Sequence, residues 1–135
     1  MAEENVFKKL FVDEKEVTRE LESQVENAAK IFSIEKPSGR VMFKNFGELN
    51  DKQRIAALLV AKYFAQRAGL EIPYSLSVSE ISKELGRPMT TLSGSINELI
   101  KAGLIEKLPD RMYRIAYQRI GDIFESVLSE SKRKR

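Results

Sequence analysis

The segment Ser77 to Tyr117, SVSEISKELGRPMTTLSGSINELIKAGLIEKLPDRMYRIAY, constrains the fold of this chain more than any other, because start and stop signals for two helices and a hairpin follow one another with almost no slack. Ser77 and Glu80 have the spacing of a capping box, in which a hydroxyl and a carboxylate satisfy backbone donors that a helix start leaves open. Val78, Ile81 and Leu85 share one face of the helix so opened. Gly86 can take the left-handed conformation that turns a chain out of a helix. Pro88 suits the first turn of a second helix, where its missing N–H has no partner to lose. Leu92, Ile96, Leu99 and Gly103 then recur at helical spacing, which turns Thr90, Gly94, Asn97 and Lys101 outward. Past Gly103, Leu104 to Leu108 and Arg111 to Tyr117 flank the turn pair Pro109-Asp110 as a hairpin. Alternation places Tyr113 and Ile115 on its core side and Arg114 toward solvent, with Lys107 and Arg111 near the tip.

Upstream, Asn50 and Gln53 form another capping box for a helix running to about Ala68 with Gly69 as its stop. Ile55, Leu58, Leu59 and Phe64, with small alanines between them, supply core. Leu70 to Leu76 reads as a link, with Pro73 discouraging helix at Ile72. Earlier still, Ile31 to Ile34 and Arg40 to Phe43 are β-branched and aromatic runs around Glu35-Lys36-Pro37-Ser38-Gly39, another hairpin and the first in chain order. Before that come a short apolar cluster, Val6, Phe7, Leu10 and Phe11, and a helix opened by Asp13 and Glu16. Val17, Leu21, Val25 and Ala28 fall near heptad spacing on this helix, and Glu14, Glu20, Glu22 and Glu26 make its outer face acidic. After the second hairpin, Ala116 to about Leu128 has a helical apolar face of Ile120, Phe124, Val127 and Leu128.

The runs LSVSEISKELG, PMTTLSGSINELIKAGLIEK and MYRIAY resemble those of winged helix-turn-helix regulators, most of all the small cytosolic ones common in archaea. The resemblance covers about a third of the chain and matches no single named family within that group. Together with the flanking patterns it leads to an α+β, mainly helical fold: an N-terminal helix plus β-hairpin extension (1–46), a winged helix-turn-helix domain (47–117), a C-terminal helix (118–130) and a basic tail (131–135). It further implies that the second helix enters the major groove of double-stranded DNA and that the hairpin, the wing, touches the backbone or minor groove. On that basis Thr90, Thr91, Ser93 and Asn97 are the candidate groove residues, and Arg87, Lys101, Lys107, Arg111 and Arg114 the candidate backbone contacts. Many such regulators dimerise through helices flanking the DNA-binding unit, and both flanks here carry apolar stripes, so a homodimer is expected.

Charge and composition frame these expectations. The net charge of +3 hides an asymmetry: eight acidic and five basic side chains leave residues 1–30 at −3, and Lys132, Arg133, Lys134 and Arg135 supply four of the positive charges elsewhere. The tail reads either as a salt-dependent phosphate contact or as a solvated terminus. The second helix has only Lys101 on its outer face and Arg87 just ahead of it, with Glu98 opposing both. This charge-poor face sustains an alternative function, a protein-interaction module in a replication, transcription or chromosome-organisation assembly. No cysteine and no histidine are present, which excludes disulfides, thiol chemistry and the commonest zinc ligand. No phosphate loop or nucleophile–base pair is found, so neither a cofactor nor enzyme activity is expected. The longest apolar run, Ile55 to Val60, is far short of a membrane span, and Glu3 and Glu4 stand where a signal peptide would be basic. The expected location is the cytoplasm, away from membranes.

Overall fold

The structure, a computed structural model, describes residues 14–128, with side chains from residue 22 onward. The Val6–Phe11 cluster, Asp13 of the first capping box and the basic tail lie outside the described residues. The described chain is α+β, with five helices and two small antiparallel sheets. In order they are α1 (Glu14–Ala29), β1 (Phe32–Ile34), β2 (Val41–Phe43), α2 (Asp51–Arg67), β3 (Ser75–Ser77), α3 (Val78–Leu85), α4 (Met89–Lys101), β4 (Ile105–Lys107), β5 (Met112–Ile115) and α5 (Ile120–Ile123). Among the described residues no helix is long and apolar enough to cross a membrane.

α2 is the central post. Ile55, Ala56, Ala57, Leu58, Leu59, Val60 and Ala61 are all fully buried, so this helix is covered on nearly every side rather than along one stripe. The alanines let neighbours approach closely, and α3, α4, β5 and the C-terminal segment all pack against it. Its capping box is complete: Gln53 N–H donates to Asn50 Oδ1 and Asn50 N–H donates to Gln53 Oε1, both at 2.8 Å. Gln53 is itself buried, and its Nε2 donates to the carbonyl of Val127 at 3.0 Å, tying the start of α2 to the C-terminal segment.

α3 opens on the second expected capping box, with Glu80 N–H on Ser77 Oγ at 3.1 Å and Ser77 N–H on Glu80 Oε1 at 2.9 Å. It closes at Gly86, whose φ of 66° is in the left-handed region where a side chain would be strained. Ile81, Leu85, Leu92, Ile96 and Leu99 meet between α3, α4 and α2 as one apolar layer.

Two local expectations are corrected. The link before α3 ends in a strand: β3 pairs with β5 through Ser75–Arg114, Leu76–Tyr113 and Ser77–Met112, giving a three-stranded sheet in the order β3-β5-β4. A three-residue strand has no periodicity of its own to read, and exists because β5 has a free edge to offer. The single helix expected from Ala116 to Leu128 is instead a 3-10 turn (Tyr117–Arg119), the short α5 and a π-helical turn (Phe124–Leu128). Ile120, Ile123, Phe124, Val127 and Leu128 are all buried, so core packing, not helical regularity, sets the path of this segment.

The first hairpin forms in the expected place, with Phe32 opposite Phe43 and Ile34 opposite Val41. A residue that the sequence did not single out holds it to the post. Lys62 of α2 is only 7% exposed, yet its ammonium donates to the carbonyl of Gly39 in the hairpin turn at 2.9 Å and pairs with Glu84 of α3 at 2.8 Å.

Candidate nucleic-acid interface

The outward face of α4 is built by what its inward face buries. With Leu92, Ile96 and Leu99 in the core, Thr90, Thr91, Ser93, Gly94, Asn97, Glu98 and Lys101 are all exposed. No described side chain hydrogen-bonds to or pairs with Thr90, Thr91, Asn97 or Lys101. Ser93 differs: its hydroxyl donates to the carbonyl of Met89 at 2.9 Å, so it offers a partner only its lone pairs. Gly94 sits in the middle of this face with nothing within 4 Å of where a Cβ would be. Glycine costs a helix interior about 0.5–1 kcal/mol relative to alanine, and no described neighbour requires its small size.

The start of α4 is also bare. Both α2 and α3 have complete capping boxes, whereas the cap residue of α4 is Pro88, which has no side-chain acceptor, and no acid lies in the first turn. Leu92 N–H and Thr91 N–H donate to the Pro88 carbonyl, while the amides of Met89 and Thr90 donate to no described group. Met89, the first helical residue, is 50% exposed; sequence periodicity gave it no role because it precedes the first buried position.

Of the candidate backbone contacts, the structure separates two from the rest. Arg87 is half-buried and forked onto Asp51 at the start of α2, with Nε to Oδ1 at 3.0 Å and Nη2 to Oδ2 at 3.2 Å. Asp51 also takes a hydrogen bond from Arg54 Nη1 at 3.2 Å, and Arg54 in turn lies over the Phe46 ring at 3.9 Å while donating to its carbonyl. The hydrogen bonds from Arg87 outweigh burial and, with Arg54, hold the Asp51 carboxyl below the usual carboxylate range. Arg114 lies on the outer side of the sheet as alternation requires, but its Nε donates to Glu106 on the adjacent strand at 2.7 Å and its guanidinium lies over Tyr74. Both arginines thus have charge partners within the fold.

Lys101, Lys107 and Arg111 remain exposed without a described partner. Arg111 sits at the hairpin tip, where Leu108 N–H donates to the Met112 carbonyl at 2.7 Å and Arg111 N–H to the Leu108 carbonyl at 3.2 Å. Its φ of 59° projects it from a left-handed position that a non-glycine residue adopts only at a cost. Glu98, the opposing charge on the α4 face, is 3.7 Å from Lys52 of α2, an exposed pair that offsets part of its field. Lys52 was not a sequence candidate, since only the fold brings α2 beside α4.

Comparison with known proteins gives no match: no protein-family model, no curated protein and no solved structure is significantly similar to this chain.

Proposed function

We propose that this protein binds double-stranded DNA as a transcriptional regulator, using α3 and α4 as a helix-turn-helix and the β4–β5 hairpin as its wing. The observation that carries this reading is the outer face of α4, a row of small polar side chains centred on a glycine that no intramolecular contact explains. A helix that is to lie in a groove benefits from a low-profile face at closest approach. The uncapped start of α4 supports the same reading, since free amides at a helix N-terminus favour phosphate oxygens. Thr90, Thr91, Ser93 and Asn97 would meet the groove, and Lys101, Lys107 and Arg111 the backbone. Arg87 and Arg114 would act by holding the two elements in place. Action as a homodimer is part of the proposal: Val25 of α1 is 50% exposed on the heptad-spaced seam whose next member, Ala28, is buried.

One observation favours a second reading, a protein-interaction module. With Arg87 and Arg114 paired internally and Glu98 on the face, the free positive charge around α4 is modest. Fluorescence anisotropy with generic duplex DNA over a salt series, for the full chain and a version ending at Ser131, distinguishes the two. Binding that is steeply salt-dependent and survives loss of the tail is expected for the winged-helix reading. Absent binding, or binding that disappears with the tail, favours a protein partner.

A further inference from the structure

We infer that the duplex read by α4 is specified through A·T base pairs in the major groove, with adenine taken by Asn97 and thymine methyl groups by Met89 and the threonines. This rests on the DNA-binding reading above and adds the class of site. Recognition helices address base edges mainly through their N-terminal half, which here presents Met89, Thr90, Thr91, Ser93 and Gly94, with Asn97 just past it about one turn on from Gly94. Guanine is most often read by an arginine or lysine placed on its O6 and N7. None lies in this half of the helix.

The nearest guanidinium, Arg87, has two of its nitrogens on Asp51, and turning it to a base would leave that carboxylate with fewer donors. Lys101 is seven residues past Gly94, about 10 Å further along the axis, beyond the part of the helix that addresses base edges. Asn97 is exposed with no described partner, and its amide presents the donor and acceptor that match adenine N7 and N6. Thymine is distinguished in the major groove by its methyl group, which calls for an apolar contact. The half-exposed Met89 and the methyls of Thr90 and Thr91 are the exposed apolar groups of the first turn of α4, and Gly94 leaves room for the base edges to come close. Glu98 can accept from cytosine N4 in principle, but its pairing with Lys52 draws it toward α2.

The test uses the full chain and four duplexes of equal length at one salt concentration: mixed-sequence A·T-rich, G·C-rich, the A·T-rich duplex with deoxyuridine for thymidine, and the G·C-rich duplex with inosine for guanosine. Deoxyuridine removes only the thymine methyl; inosine–cytosine pairs look like G·C from the major groove and like A·T from the minor groove. The A·T-rich duplex is expected to bind about tenfold more tightly than the G·C-rich one, the inosine duplex to behave like G·C, and the deoxyuridine duplex to fall between. N97A should shrink the A·T preference, and M89A should shrink the penalty for deoxyuridine. Equal affinity for the A·T-rich and G·C-rich duplexes would overturn this inference while leaving DNA binding in place. Inosine binding as tight as A·T would move the preference to the minor groove and also overturn it. A folded protein that binds none of the four overturns the DNA-binding reading itself.

Discussion

The body of the α2–α3–α4 unit and the outer face of α4 treat their polar groups in opposite ways. In the body of the unit, Asp51 and Arg54 of α2 with Arg87 make one charge cluster and Lys62 of α2 with Glu84 of α3 another, and each member has a charged or carbonyl partner within the fold. On the outer face, Thr90, Thr91, Asn97 and Lys101 have no described partner and Gly94 has no described neighbour. Charges whose removal would leave a buried group unpaired hold the elements together. Groups whose removal leaves no internal gap are the ones available for an outside contact.

The largest expected effect that would break this contrast is at Lys62. K62M leaves the Gly39 carbonyl and Glu84 without their ammonium, and should lower stability in denaturant titration by about 2–3 kcal/mol. Adding E84M should recover part of that loss, since an unpaired carboxylate is removed as well. D51N should cost about 1–2 kcal/mol, discounted for the partial exposure of Arg87. Because Arg87 and Arg54 hold the Asp51 carboxyl below its ordinary value, this contribution is fully present above the unfolded-state value of about 4 and is lost as pH falls through the lower folded-state value. The stability difference between wild type and D51N should therefore be flat from about pH 8 to 5 and shrink only in stronger acid.

On the other side of the contrast, G94A should raise stability by about 0.5–1 kcal/mol and weaken duplex binding. A stabilised protein with unchanged binding would remove the centre of α4 from the interface. The smallest effect is at the hairpin tip. R111G relieves the left-handed backbone, so it should leave melting unchanged or slightly raised while flattening the plot of log K against log salt by about 0.9, one phosphate contact. R114Q, by contrast, should lower stability and leave that slope alone, because Glu106 and Tyr74 already engage the guanidinium.

What could be read from the sequence was local. The capping boxes at Asn50 and Ser77, the left-handed Gly86 and the outward set Thr90, Gly94, Asn97 and Lys101 each depend on residues within a few positions of one another, and each is found as expected. What escaped depends on distant partners. Arg87 reads as a free cation until Asp51, 36 residues earlier, is beside it. Lys62 has no role that its sequence neighbours reveal until the hairpin turn and α3 close over it. β3 is invisible without β5, and the broken path of residues 117–128 follows from the core that it packs into rather than from its own periodicity.

Ser77 carries one more consequence. It is the last residue of β3, opposite Met112, and also the cap of α3, so no loop separates the sheet from the helix pair. The sheet and α3 are consequently geared together: tilting one against the other would require breaking a strand pairing or a helix cap at the same residue. Whatever surface they meet is met by a preset shape whose ordering entropy was lost during folding, and S77A should show itself as a looser joint, with faster amide exchange in β5 and the first turn of α3 together.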